Sequence, residues 1–187
     1  MKDLPGSDAA ARKSEPGAGA WLSTLRRYLL FVAAGNLVWE SAHIPLYTIW
    51  ETGDWGEIVF AVVHCTGGDI LIALSAIVLS LLLAGRADWP ASRFGLVLVL
   101  TVLFGVTYTV FSEWLNIEVR QAWAYRGAMP VIPVLGAGLS PVLQWILVPL
   151  AGFWWAMRPV SGTGRYRETK FTAGADRDPS QGIASDR

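Results

Sequence analysis

Long apolar runs alternate with short polar ones along this chain. The runs at about 28–50, 58–84, 94–116 and 139–157 are each long enough, at about 1.5 Å per residue, to cross a hydrocarbon core of about 30 Å as a helix. The pattern predicts an all-α integral membrane protein, a bundle of four transmembrane helices. Residues 1–25 mix Pro, Gly, Ala and charge without periodicity, and residues 159–187 are polar and charged. Both stretches read as disordered tails, leaving 26–158 as the single membrane domain.

The connections refine this frame. Pro45 removes one helical hydrogen bond near Ser41 and predicts a kink in the distal part of the first span. ETGDWGE (51–57) is a short turn with acids and no base, and RADWPASR (86–93) is a loop flanked by Arg86 and Arg93. The connection 117–138 carries Glu118, Arg120 and Arg126 among aromatics, prolines and glycines. That composition argues against a spanning helix and for a segment that lies at the interface or re-enters.

Charge sets the orientation. Arg26 and Arg27 precede the first run, Arg86 and Arg93 flank the second loop, and Arg158, Arg165, Arg167 and Lys170 follow the last run. The first loop has no base and the third connection has Arg120 and Arg126. The bias predicts a multi-pass protein of the plasma (inner) membrane with both termini cytoplasmic.

Composition excludes several classes. Charged residues make up 16% of the 187 residues and sit mostly toward the ends, with a formal net charge of zero and no basic stripe, so no nucleic-acid partner is expected. The partner the sequence does predict is the lipid bilayer. The lone Cys65 forms no intrachain disulfide.

Ionisable residues inside the apolar runs carry the candidate chemistry. Asn36, Glu40, His43 and Tyr47 recur at i, i+4, i+7 and i+11, one face of a helix. The second run holds His64 and Asp69 within HCTGGD, and the third ends in YTVFSEWLN with Tyr108, Ser112, Glu113 and Asn116. Ser140 and Gln144 open the fourth run. With the orientation above, Glu40 and Asp69 lie near the midplane and His43, His64, Tyr108, Ser112, Glu113, Asn116, Ser140 and Gln144 in the outer halves, over an inner half that is almost wholly apolar. This predicts a polar cavity open to the outside.

An uncompensated carboxylate in a bilayer costs several kcal/mol, so intramembrane acids are functional candidates by default. Glu40, His43, His64, Asp69 and Glu113 are the expected catalytic groups, with the carboxylates as acids or bases and the imidazoles as relays. Trp39, Tyr47, Tyr108, Trp114, Asn116 and Gln144 are the expected substrate-binding positions. Against this stands a plain structural reading. Asn36, Tyr108, Ser112 and Gln144 can serve as interhelical hydrogen-bonding glue, Glu113 as an interfacial carboxylate, and Glu40 and a histidine as a helix-joining pair.

Several functions fit that set. The leading one is an enzyme using acid/base or metal-assisted chemistry on a lipid-like or membrane-soluble substrate. A metal, zinc or iron, would use His43, His64 and Asp69, although no HExxH is present. A b-type haem protein in electron transfer would use His43 and His64 as axial ligands, the only two histidines of the chain. A small proton-coupled carrier, working as a homo-oligomer, would exchange its proton at Glu40 or Asp69.

Overall fold

A computed structural model describes residues 18–158, and in it every apolar run is helical. Helix α1 spans Ala18–His43, a short α2 Ile49–Thr52, α3 Trp55–Ala84, α4 Phe94–Trp114 and α5 Leu139–Ala156. Four segments, Trp21–Leu46, Trp55–Ala84, Phe94–Val119 and Leu139–Ala156, are long and apolar enough to span a membrane. Among the described residues there is no strand, only two isolated bridges, Tyr47 to Tyr125 and Val131 to Gly138. The expected terminal tails at 1–17 and 159–187 lie outside the described residues.

The boundaries of α1 differ from the sequence expectation at both ends. Residues 18–25, expected in the tail, are helical, and Arg26 and Arg27 lie within the helix. Arg27 is held there because its guanidinium donates to the carbonyls of Trp155 and Arg158, each at 2.7 Å, and lies 4.9 Å from the Trp155 ring centroid. A cation at the C-terminal carbonyls of α5 is favourable for both hydrogen bonding and the helix dipole. At the other end, Pro45 does more than kink the span. The α-helix stops at His43 and passes into a 3-10 turn over Ile44–Leu46. Glu40 therefore sits in the last turn of α1, not in its middle.

The other ends follow local chemistry. Asp54 caps α3: its side chain accepts from the Glu57 N–H at 2.9 Å while Glu57 accepts from the Asp54 N–H at 3.0 Å. The acids of the first loop thus form a capping box at a helix N-terminus. In the 86–93 loop the Ser92 hydroxyl donates to the Asp88 carboxylate and holds its pKa below the usual value. Pro149 lies inside α5 without ending it, as spanning helices tolerate when neighbours enclose the freed carbonyl.

The four long helices pack as a square in which α1 and α4 each touch α3 and α5. Tyr28, Val32, Ala73, Ile77, Val97 and Phe153 fill one half, with Tyr28 and Phe153 stacked at 4.3 Å. Gly105 of α4 lets α5 come close, since a Cβ there would run into the Trp145 ring. Helix α4 loosens into a π turn over Leu115–Val119. The chain from 120 to 138 then folds back across the end of α1: Thr48 donates to the Ala124 carbonyl at 3.0 Å and the Arg126 N–H to Leu46 at 2.9 Å.

Candidate functional site

Apart from Tyr28, Trp89 and Trp123, each with a buried polar atom that has no hydrogen-bond partner among the described residues, the buried polar side chains with a mapped hydrogen bond fall into two kinds. The hydroxyls of Thr66, Ser80 and Thr101 donate to carbonyls one turn back in their own helices, at 2.8, 2.7 and 2.8 Å. They are satisfied locally and join nothing. The second kind reaches between helices in the half of the bundle beneath the 120–138 connection.

Gln144, on the second turn of α5, is the hub. Its amide nitrogen lies 3.2 Å from Asn36 Oδ1, 2.9 Å from Glu40 Oε1 and 2.9 Å from Asp69 Oδ2. Three helices thus meet on one amide, and the Gln144–Asp69 bond crosses a diagonal of the square. An amide nitrogen has two hydrogens, so three acceptors exceed its capacity. Glu40 and Asp69 face one another across this point, and both are buried.

From Glu40 the hydrogen bonds continue to a second group. His43 Nε2 is 3.1 Å from Glu40 Oε2, and His43 Nδ1 is 3.0 Å from the Ser140 hydroxyl. Ser140 also accepts from the Trp39 indole at 3.2 Å. One tautomer satisfies every member: Trp39 donates to Ser140, Ser140 to Nδ1, and the Nε2 proton to Glu40. The continuous path is Asp69, Gln144, Glu40, His43, Ser140, Trp39.

Glu113 forms a separate centre on α4. Its Oε2 accepts from Tyr47 at 3.4 Å, across the other diagonal, and from Tyr125 of the connection. Tyr125 in turn accepts from the Gly138 N–H at 2.7 Å. Burial pushes the Tyr125 phenol above its ordinary pKa, so it remains a hydrogen-bond donor. The rings of Tyr47 and His43 stand 5.4 Å apart, edge to face, and bring the two centres side by side.

Of the expected catalytic residues, the structure brings together Glu40, His43 and Asp69, with Glu113 adjacent. His64 does not join them. It lies on the exposed face of α3 and stacks on Phe60, with ring centroids 5.4 Å apart. One hundred degrees per residue puts His64 and Asp69 on different faces of the helix, and only Asp69 turns inward. A single-chain metal set of His43, His64 and Asp69 is therefore not formed, and the two histidines do not face one another as haem ligands. Among the described residues no group of three His, Cys, Asp or Glu side chains converges as a metal would require.

Of the expected binding positions, Trp39, Tyr47 and Gln144 belong to the cluster. Tyr108 and Trp114 are about half exposed and pack on Phe111 along the outer face of α4. Asn116 is buried but held locally, donating to the Ser112 carbonyl at 2.8 Å and accepting from Arg120 at 3.3 Å. Asn36, Ser140 and Tyr125 belong to the two centres although the sequence did not single them out as site residues. Asn36 and Ser140 lie within the polar pattern of the spans, but nothing local marks Tyr125, which reaches Glu113 from an irregular segment.

The expected open cavity is also absent at this position. Glu40, His43 and Asp69 are 6%, 6% and 8% exposed. The connection crosses the chain just beyond the end of α1, strapped by Arg126, which donates to the Pro45 carbonyl at 2.6 Å and pairs with Glu51 at 2.5 Å. No family model matches the chain, and no curated protein or solved structure matches it.

Proposed function

We propose that this protein is a membrane-embedded enzyme that uses acid/base chemistry on a lipid-like, membrane-soluble substrate. The observation that carries this reading is the buried path from Asp69 through Gln144 and Glu40 to His43 and Ser140. Two carboxyl groups on one amide repel unless a proton is shared between them. One shared proton leaves one negative charge, toward which the Nε2–H of His43 is directed through its hydrogen bond to Glu40. Glu40 and Asp69 then act as the proton store, His43 as the relay and Ser140 as the group that meets the substrate. Glu113, held by two phenols, lies close enough to serve as a second acid.

The packing of the other half favours an enzyme over a proton-coupled carrier. Tyr28, Val32, Ile77, Val97 and Phe153 are 0–1% exposed and would stand across any path continuing through the bundle. Arg27 and Arg158 meet at that same end, which fits the orientation with both termini on the cytoplasmic side of the inner membrane.

The test is an untargeted lipid assay. The full chain is reconstituted in vesicles of total bacterial lipid in D2O, and the lipids are extracted and compared by mass spectrometry. The expected result is one membrane-soluble species that changes mass or gains non-exchangeable deuterium with the wild type, and not with Glu40→Gln. Identical lipid profiles for the two proteins would overturn the reading.

A further inference from the structure

The two ends of the bundle carry opposite charge. At the end where α1 begins and α5 finishes, the described residues include Arg26, Arg27, Arg86, Arg93 and Arg158 but a single carboxylate, Asp88. Neither salt bridge among the described residues lies at this end, and Asp88 is engaged by the Ser92 hydroxyl. The other end holds Glu51, Asp54, Glu57 and Glu118 against Arg120 and Arg126. The guanidinium groups of the first end thus meet the headgroup layer with almost no counter-charge from the described chain.

Two of them are built into one place. Arg27 reaches from α1 to the C-terminal carbonyls of α5, donating to Trp155 and to Arg158 itself, each at 2.7 Å. The Arg158 side chain turns back over the Trp154 ring, with its guanidinium carbon 3.5 Å from the centroid. A guanidinium has five N–H donors, all in its plane. Arg27 uses two on carbonyls and keeps three, and Arg158, lying against a ring face, keeps its edges free for an acceptor.

We infer that Arg27 and Arg158 form a binding site for the phosphodiester of an anionic phospholipid at the junction of α1 and α5. The occupant carries a phosphate because planar guanidinium forks pair with its oxygens two at a time. It is a lipid because the site stands at headgroup depth. Trp21, Trp154 and Trp155 are the indoles of an interfacial belt, and Leu30, one turn along α1 from Arg27, is 60% exposed and faces hydrocarbon. Its headgroup has no cation of its own, since choline or ethanolamine would bring a positive charge against two guanidinium groups. Basic sites between spanning helices hold anionic lipids in this way, and here the bound phosphate ties the start of α1 to the end of α5.

Native mass spectrometry of the full chain in a neutral detergent tests this, with phosphatidylglycerol and phosphatidylcholine of identical acyl chains as probes. The expected result is one phosphatidylglycerol held about ten-fold more tightly than phosphatidylcholine, the scale of two interfacial arginines acting on one charge. Arg27→Gln would also unfasten α1 from α5, so Arg158→Gln is the variant that isolates the site, and it should remove the preference. Arg93→Gln, at the same end of the bundle but at the start of α4, should keep it. Excess inorganic phosphate should displace little of the bound lipid. Three results would each overturn the inference. Equal affinity for the two lipids would mean that charge selects nothing here. Equal losses in Arg158→Gln and Arg93→Gln would mean a diffuse field in place of a site. Displacement by free phosphate would mean an anion site with no claim on lipid.

Discussion

The half of the bundle around Tyr28 and Phe153 and the half around Glu40 and Asp69 are made from the same helices but held by different forces. In the first, apolar side chains interlock, the hydroxyls of Ser80 and Thr101 are satisfied within their own helices, and the buried Tyr28 hydroxyl has no hydrogen-bond partner among the described residues. Lipid is as apolar as these side chains, so packing rather than water exclusion joins the helices there. In the second, one amide gathers groups from α1 and α3, and a histidine and a serine extend the chain of hydrogen bonds. Each member depends on the next, and removing one leaves a polar group with no water to replace it. Shape governs the first half and complementarity of donors and acceptors the second. Only the second brings carboxyl groups and an imidazole together.

The largest effect that would break this contrast concerns the two histidines. His43→Phe should lower lipid conversion by about 100-fold or more, the usual cost of losing a general acid/base relay. His64→Phe should stay within about two-fold, as expected of an outward-facing position. Equal losses in the two variants, measured by the same mass-spectrometric assay, would mean that burial does not separate function from surface here.

A smaller effect sharpens the packing side. Gly105→Leu drives a side chain into the Trp145 ring and should destabilise by about 1–3 kcal/mol, the usual range for overpacking. Gly95→Leu, on the same helix with open space around it, should change stability little. Thermal unfolding in detergent measures both, and tryptophan emission should shift in the first variant only. A Gly105→Leu protein with unchanged midpoint would show that α4 and α5 do not need this close approach.

The smallest effect concerns the cover over the site. Arg126→Gln removes a partly exposed ion pair with Glu51, worth up to about 1 kcal/mol. Global stability should hardly change, while limited proteolysis between residues 120 and 138 should accelerate. Unchanged cleavage would assign the fastening to the backbone bonds at Thr48 and Arg126 instead.

The helices were legible because hydrophobic length is a one-dimensional property. A run of apolar residues without charge becomes a helix whatever its neighbours do, since a bilayer leaves the backbone no other partner. The same logic exposed Glu40, His43 and Asp69 as anomalies, and their shared depth followed from alternating direction. Three things needed the tertiary structure. Which face of α3 turns inward separates Asp69 from His64, and sequence offers the same anomaly at both. The fold-back of residues 120–138 brings Tyr125 to Glu113 and closes what the sequence suggested was open, because the path of an irregular segment is set by contacts, not by period. The convergence of Asn36, Glu40 and Asp69 on Gln144 depends on the register of α1 and α3 against α5. The sequence by itself determined that costly polar groups lie within apolar helices; the packing decided which of them compensate one another, because a hydrogen bond depends on distance in space and not on distance along the chain.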